Sequence, residues 1–288
     1  MLKSLVNQNL KVNEPIILPP YPNLTPSEKK EFPSQNPDEE QKERKTEIEN
    51  TAKIFGQSEE QICKEFKAFK ALKIFKKFDV DLTGVSDAET LSLKLEETVK
   101  FGFGNIVINP KFIKFVKQKL KGKKIGVFAG VCYPFGEELY GVKKYASKLA
   151  FLNGADGIYL PVGTTDILRG KIDSIKREFA KIVKRHRKKK VFAVIEFGQC
   201  DKLSCEKILK ALSKIKIAGI VGGTGANKNE TDKEMSDLRS ASGGKGLIVA
   251  RFDGEKSREV MNLFTVADRV FIKNAEKVAQ ELKSNLEC

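Results

Sequence analysis

The stretch Val191-Phe-Ala-Val-Ile-Glu196 has five consecutive apolar side chains and ends in a carboxylate. An apolar run without alternation is typical of a strand buried on both faces of a parallel sheet. Seven other short, mainly apolar runs occur along the chain. They are Val80–Leu82, Asn105–Ile108, Ile125–Ala129, Ile158–Val162, Ile217–Val221, Leu247–Ala250 and Arg269–Ile272. The pattern therefore predicts eight strands of a parallel sheet.

The segments between these runs have the apolar spacing of helices. Examples are Asp87–Phe101, Lys111–Lys121, Gly136–Leu152 and Lys171–Arg185. Eight strand–helix units over about 210 residues match the size of a (β/α)8 TIM barrel, an α/β fold. The alternative, a doubly wound open sheet, would carry a Gly-rich dinucleotide turn after its first strand, and residues 83–86 (Thr-Gly-Val-Ser) are not such a turn. We therefore expect a barrel over residues 78–288.

The residues before the barrel have a different composition. Seven of the ten prolines lie there, at positions 15, 19, 20, 22, 26, 33 and 37. This segment shows no apolar periodicity, which predicts a flexible, Pro-rich arm over residues 1–50. Residues 51–77 are predicted to form a helical lead-in, because Phe66, Phe69 and Leu72 fall at helical spacing.

Composition narrows the class of protein. The chain has 288 residues, of which 40% are hydrophobic and 32% are charged, as in ordinary globular proteins. No run approaches the roughly 18 apolar residues that a membrane-spanning helix needs. The first ten residues lack the pattern of a secretory signal. The default expectation is a cytoplasmic protein without membrane association.

The formal net charge of +15 favours anionic partners, namely a phosphorylated small molecule, RNA or another polyanion. A general lysine bias in the source's proteins would give the same charge. Basic clusters occur within residues 111–124 and 181–190. We expect both at helix C-termini on the face opposite the active site, where they either suit the helix dipole or bind RNA.

Cysteine and histidine are sparse and badly spaced for metal binding. The cysteines are Cys63, Cys132, Cys200, Cys205 and Cys288, and His186 is the single histidine. No C-x-x-C pair is present, so we expect no metal and no cofactor. His186 lies in a run of Lys and Arg, which argues against a catalytic triad. Reduced thiols are expected for all five cysteines.

Active sites of such barrels form at the C-terminal ends of the strands. The loop Gly222-Gly-Thr-Gly225 follows the sixth strand, and its amides are suited to binding phosphate. Thr224, Arg251 and Lys273 are predicted to add a hydroxyl and two charges. The alternatives are a tight turn that needs glycine for geometry, an exposed loop lysine, and an ion pair between Arg251 and Asp253.

Three further polar residues end predicted strands, namely Glu196, Asp81 and Asn109. A carboxylate after an apolar run is costly unless it is paired or solvated in a cavity. Each of the three is therefore either part of a site or part of the polar closure of the barrel mouth.

Several ordered motifs resemble the deoxyribose-phosphate aldolase family. They are Phe101-Gly-Phe-Gly-Asn-Ile-Val-Ile-Asn-Pro110, Tyr133-Pro-Phe-Gly136, Val142-Lys143, Asn153-Gly-Ala-Asp156 and Ile195-Glu196. The resemblance runs from about Asp79 to Val278 and implies a (β/α)8 barrel with lyase chemistry. The family forms a Schiff base with a lysine on the sixth strand, a position that aligns with Val221, or with Gly222 if one gap is allowed.

The other charged groups of the family's apparatus align with uncharged residues. A second lysine aligns near Val249 or Ala250, and a proton-relay aspartate aligns with Tyr159. One interpretation is a barrel that binds a phosphorylated small molecule or a partner without Schiff-base chemistry. A second is a divergent lyase or aldolase for a sugar phosphate, with Lys273, Glu196 and Tyr159 as candidate catalytic residues. A third is a polyanion-binding protein, and a homo-oligomer is compatible with each.

Overall fold

The computed structural model describes residues 71–226, 239–240 and 246–287. The arm predicted over residues 1–50 lies outside these ranges, as does most of the predicted lead-in. Residues 71–75 are helical and form the described end of that lead-in. The Phe75 ring is fully buried and packs edge-on against Phe78 and Phe101, with centroids 5.8 and 6.1 Å apart. This short helical segment therefore packs onto the start of the first strand.

The strands form a closed parallel barrel in the order β1 to β8, with β8 paired to β1. Their bounds are β1 Phe78–Leu82, β2 Asn105–Ile108, β3 Gly126–Gly130, β4 Gly157–Pro161, β5 Lys190–Ile195, β6 Gly219–Gly222, β7 Leu247–Phe252 and β8 Arg269–Ile272. The predicted fold is confirmed, and each strand overlaps its predicted run. The open-sheet alternative is excluded because closure leaves no edge strand.

Helices follow the strands around the outside. They are α1 Ala88–Phe101, α2 Ile113–Lys119, α3 Tyr140–Leu152, α4 Thr164–Leu168, α5 Ile172–Arg185, α6 Lys202–Leu212, α7 Ser257–Leu263 and α8 Ala275–Glu287. The helix predicted from Gly136 begins only at Tyr140, since Gly136 has a φ of +63° that no right-handed helix contains. None of the described helices is long and apolar enough to cross a membrane.

The barrel interior is filled by its own cluster of side chains. The cluster comprises Val107, Phe128, Tyr159, Phe192, Val194, Val221, Val249 and Phe271, all at most 2% exposed. The Tyr159 ring lies 5.1 Å, centroid to centroid, from Phe192 and from Phe271. Each buried large side chain stabilises the fold by about 1.5–3 kcal/mol. The interior is therefore a packed core with aromatic walls.

A polar group closes this core at the N-terminal end of the strands. Asp79 accepts hydrogen bonds from Asn105 Nδ2 at 2.7 Å and from Arg269 Nε at 2.8 Å. The Tyr159 hydroxyl also donates to Asp79. Burial first, and the neighbouring Asp79 second, raise the pKa of Tyr159 well above its ordinary value. The Tyr159 side chain is thus directed away from the strand C-termini.

One expectation about cysteines is corrected. Reduced thiols are predicted from the sequence, whereas the structure pairs Cys200 with Cys205 as a disulfide. Their Cα atoms are 5.8 Å apart, because the turn into α6 places position 200 beside position 205. Cys63 and Cys288 lie outside the described residues.

Candidate functional site at the mouth of the barrel

A cavity of about 640 Å³ opens at the C-terminal ends of the strands. Among its lining residues are six of those predicted from the sequence: Asp81, Asn109, Thr224, Gly225, Arg251 and Lys273. They come from five strand ends that lie far apart in sequence. In a closed parallel barrel the C-terminal ends of all strands lie on one face. Residues that follow the predicted strands were therefore predicted to lie together.

Arg251 is the central charged group of this mouth. Its Nη1 donates to Asp81 Oδ2 at 2.6 Å, and its Nη2 donates to Asp253. The guanidinium carbon lies 4.4 Å from the centroid of the Phe271 ring. Burial alone would lower the pKa of Arg251, but the two carboxylates raise it above its ordinary value. Arg251 is therefore a buried, permanently charged group that is held by two anions.

Asp81 is oriented by its own loop. Its Oδ1 accepts from the backbone N–H of Thr83 at 2.9 Å and from the Thr83 hydroxyl at 2.7 Å. This local turn leaves Oδ2 directed at Arg251. The ion pair of Arg251 with Asp253, considered from the sequence, is present, whereas the pair with Asp81 spans 170 positions and was not predicted.

Glu196 holds the loop after β6. It is 6% exposed, and its Oε1 accepts from the backbone N–H of Thr224 at 2.5 Å. The Tyr133 hydroxyl donates to the carbonyl oxygen of Thr224, also at 2.5 Å. Burial above all raises the pKa of Tyr133, so the phenol stays protonated as this bond requires. Glu196 is not among the residues that line the cavity.

The same loop has fewer amides for an anion than the sequence suggests. Gly223 N–H donates to the carbonyl of Ile195 at 2.8 Å, and Thr224 N–H is used by Glu196. Gly222 and Gly223 do not line the cavity, whereas Gly225 does. Gly225 has a φ of +82°, and a Cβ there would lie 2.6 Å from Arg251 Nη2. Glycine is thus required at 225 both by conformation and by close approach. Phosphate binding at this loop stays a prediction.

Lys273 is an exposed cation on the rim of the cavity. Within the described ranges, no acidic group lies within ion-pair distance of it, unlike Arg251. The sequence analysis missed the side wall, where Lys94 of α1 pairs with Glu97 at 2.8 Å and with Glu276 of α8 at 3.4 Å. These residues lie on helices, so a search for polar residues at the ends of predicted strands could not identify them.

Two candidates from the sequence lie elsewhere. Tyr159 is inside the core and hydrogen-bonded to Asp79, so it does not line the cavity. Val221 is fully buried in the same core, in register with Val194 on one side and Val249 on the other. Val221, which the resemblance predicts at the position of the family's Schiff-base lysine, is therefore a packed apolar side chain.

Cys132 follows β3 and lies next to Tyr133. Its backbone has a φ of +53°, unusual for a residue other than glycine. Burial, followed by the charge of Glu138, raises the pKa of the Cys132 thiol to about 12. The thiol is therefore protonated near neutral pH, which makes it a poor nucleophile.

The basic clusters divide between two ends of the barrel. Lys117 pairs with Asp156 at 3.2 Å, and Lys189 donates to the carbonyl of Ala155 at 2.8 Å. Lys111 departs from the expected location, because its Nζ lies 3.3 Å from the carbonyl of Ser86 in the loop after β1. It lies at the start of its helical segment, not at the end. Part of the basic sequence is thus used inside the protein.

No protein-family model matches the chain. Curated relatives and solved structures, however, are similar to it in sequence and in fold. A deoxyribose-phosphate aldolase of Clostridium botulinum (strain 657 / Type Ba4) is 30% identical over 196 residues, covering 67% of this chain and 91% of the relative. One from Acholeplasma laidlawii is 28% identical over 177 residues, covering 61% and 78%.

Solved structures of aldolases have the same fold as this chain. The tetrameric deoxyribose phosphate aldolase of Aeropyrum pernix has a TM-score of 0.68 at 16% identity, covering 76% of this chain and 96% of that one. An aldolase designated QR15 has a TM-score of 0.68 at 17% identity, covering 74% and 96%. The fold and the similarity to these relatives define an aldolase-type barrel of the lyase family. The chain belongs to the deoxyribose-phosphate aldolase family.

Proposed function

We propose that this aldolase-like barrel binds a phosphorylated small molecule at its mouth without forming the family's Schiff base. The observation that carries the proposal is the placement of Val221. Valine has no amine, and its neighbours Val194, Val249 and Tyr159 are at most 1% exposed. Schiff-base chemistry needs an amine that a carbonyl compound can reach. Within the described part of the barrel interior, no lysine side chain supplies one.

The mouth retains groups suited to a phosphorylated ligand. Lys273 supplies a positive charge that no described carboxylate neutralises. The Gly225 N–H makes no hydrogen bond to another described residue, and Thr224 lies beside it. Arg251 Nε is buried and has no hydrogen-bond partner among the described residues. Lys273 and the Gly225 amide are the proposed phosphate contacts, while Asp81 and Asn109 are the proposed contacts for hydroxyl groups.

Ligand protection tests the binding half of this proposal. Thermal unfolding is followed with inorganic phosphate and with 2-deoxyribose 5-phosphate. A ligand that binds only the folded state raises the melting temperature by mass action. The shift should fall in Lys273→Met and persist in Lys277→Met, a matched control whose lysine pairs with Glu255 on the surface. Equal protection of both variants would refute a site at Lys273.

Borohydride trapping with acetaldehyde and the same sugar phosphate tests the chemical half. We expect no reduced adduct on intact protein by mass spectrometry. An adduct on Lys273 would instead support the second candidate, a divergent lyase with a relocated amine. That candidate is considered because Lys273 is the described exposed lysine that lines the cavity beyond β8. An adduct on another lysine would refute both assignments.

Self-association is the remaining part of the proposal. The relative from Aeropyrum pernix is described as a tetramer. We extend self-association to this chain, and light scattering after size-exclusion chromatography should give a mass above one 32.2 kDa protomer. A strictly monomeric mass at micromolar concentration would refute self-association. RNA binding by the basic clusters, the third interpretation, would appear as strongly salt-dependent retention of RNA.

A further inference from the structure

A second cavity lies on the flank of the barrel, away from the mouth. It has a volume of about 300 Å³ and is lined by Gly141, Lys144, Tyr145, Lys148 and Arg185. The first four residues belong to α3, and Arg185 ends α5. No acidic residue is among the lining groups. We call these five residues the flank groove.

The three cations of the flank groove lie together without an anionic partner among the described residues. Neighbouring cations have partners: Lys143 pairs with Glu178 at 2.8 Å, and Lys181 lies 5.2 Å from the centroid of the Tyr140 ring. Lys144, Lys148 and Arg185 form no ion pair or hydrogen bond through their side chains with the described residues. Three like charges around one depression repel one another, and an anion bound between them would relieve that repulsion.

The aromatic ring and the open lining of the flank groove indicate a second property of its ligand, a flat apolar group. Tyr145 is 61% exposed, although it is one of only five tyrosines in the chain. Gly141 is exposed, and a Cβ added there would meet nothing within 4 Å, so a larger side chain at this lining position has room to enter the groove. A flat aromatic face beside several cations is the combination that binds a base by stacking and its phosphate by charge.

We propose that the flank groove binds a nucleotide unit. The phosphate contacts Lys144, Lys148 and Arg185, and the base stacks on Tyr145. The volume is at the lower limit of small-molecule pockets, which suits a single nucleotide. The unit has two sources, a free nucleoside monophosphate or one residue of single-stranded RNA. This site is distinct from the mouth of the barrel and does not depend on the proposed function.

The test is fluorescence anisotropy of a labelled eight-nucleotide single-stranded RNA at low salt, with AMP as competitor. Lys148→Glu should weaken binding at least tenfold. Lys124→Glu makes the same charge change in the basic segment before β3, and should weaken binding less than twofold. Tyr145→Ala should weaken binding about tenfold, and Tyr145→Phe should restore it, because stacking needs the ring and not the hydroxyl.

A steric variant separates the groove from general surface charge. Gly141→Leu changes no charge and replaces a poor helix former, so it should keep the fold while filling the groove. Saturable competition by AMP with this pattern of variants identifies a free nucleotide as a ligand. The same pattern without competition identifies RNA. The proposal is overturned if neither probe binds, if Lys124→Glu and Lys148→Glu are equally damaging, or if Gly141→Leu binds normally in a protein with unchanged thermal stability.

Discussion

Replacing Arg251 with methionine should destabilise the barrel far more than the loss of any surface charge. Methionine keeps much of the side-chain volume but leaves Asp81 and Asp253 without their cation. Removing one partner of a buried ion pair costs about 3–5 kcal/mol. Asp81 keeps its two hydrogen bonds from Thr83, and the Asp253 side chain is 22% exposed, so the lower part of that range applies. The lost cation–π contact with Phe271 adds about 1 kcal/mol.

The total is about 3–4 kcal/mol, measured as the free energy of unfolding in urea. With an m value of about 3 kcal/mol per molar, the unfolding midpoint should fall by about 1 M. Lys277→Met is the control, since that lysine and its partner Glu255 are more than half exposed at 62% and 54%. Such surface pairs contribute about 0–1 kcal/mol.

A double variant tests whether the penalty comes from the uncompensated charge of Asp81. If the penalty comes from leaving Asp81 charged and buried, Asp81→Asn combined with Arg251→Met should be more stable than Arg251→Met alone. The reasoning is refuted if Arg251→Met and Lys277→Met differ by less than about 0.5 kcal/mol. It is also refuted if the double variant loses the sum of both single penalties, because the two side chains would then be energetically independent.

Three further outcomes are expected. Gly225→Ala should lose about 2 kcal/mol, since alanine disfavours the left-handed backbone and its Cβ meets a guanidinium, whereas Gly84→Ala has open space and should be nearly neutral by urea unfolding. Tyr159→Phe should lose about 1.5–3 kcal/mol in the same assay, because it removes a hydrogen bond to the charged Asp79. Cys132, with a pKa of about 12, should react with iodoacetamide at pH 8 at least a hundredfold more slowly in the folded protein than after unfolding, as followed by mass spectrometry.

Each of these outcomes has a clear opposite. Equal stability of the two glycine variants would show that the loop after β6 moves away from Arg251. A neutral Tyr159→Phe would mean that the hydroxyl adds nothing to the cluster around Asp79. Alkylation of Cys132 at the rate of the unfolded chain would show that its thiol is exposed in solution.

The fold was predictable because short runs such as Val191–Ile195, apolar at every position as in strands covered on both faces, alternate eight times with segments of helical spacing. The ends of those strands then indicated Asp81, Arg251 and Lys273 as neighbours. The direction of a side chain inside the barrel was not predictable in the same way. Tyr159 and a mouth residue look alike in sequence, and the difference arises from Asp79, which lies 80 positions earlier.

The loop after β6 depends on contacts that the sequence does not show. Its glycines predict amides suited to phosphate, which stays a prediction, and the chain itself uses the amides of Gly223 and Thr224. The sequence predicts for Glu196 either a role in the site or a part in the polar closure of the barrel mouth, and its Oε1 accepts a hydrogen bond from the Thr224 N–H. Which partner satisfies a given N–H depends on contacts between strands that composition does not record.

The packed interior around Val221 also determines which substitutions a lysine at that position would require. A lysine substituted at this position would place its amine among Val194, Val249 and Tyr159. Burial would lower the pKa of that amine and so favour the neutral form that imine formation requires. Smaller residues in place of the aromatic walls would give the longer side chain room, and each such change leaves a cavity that costs several kcal/mol. A lysine at position 221 therefore requires compensating substitutions on the neighbouring strands.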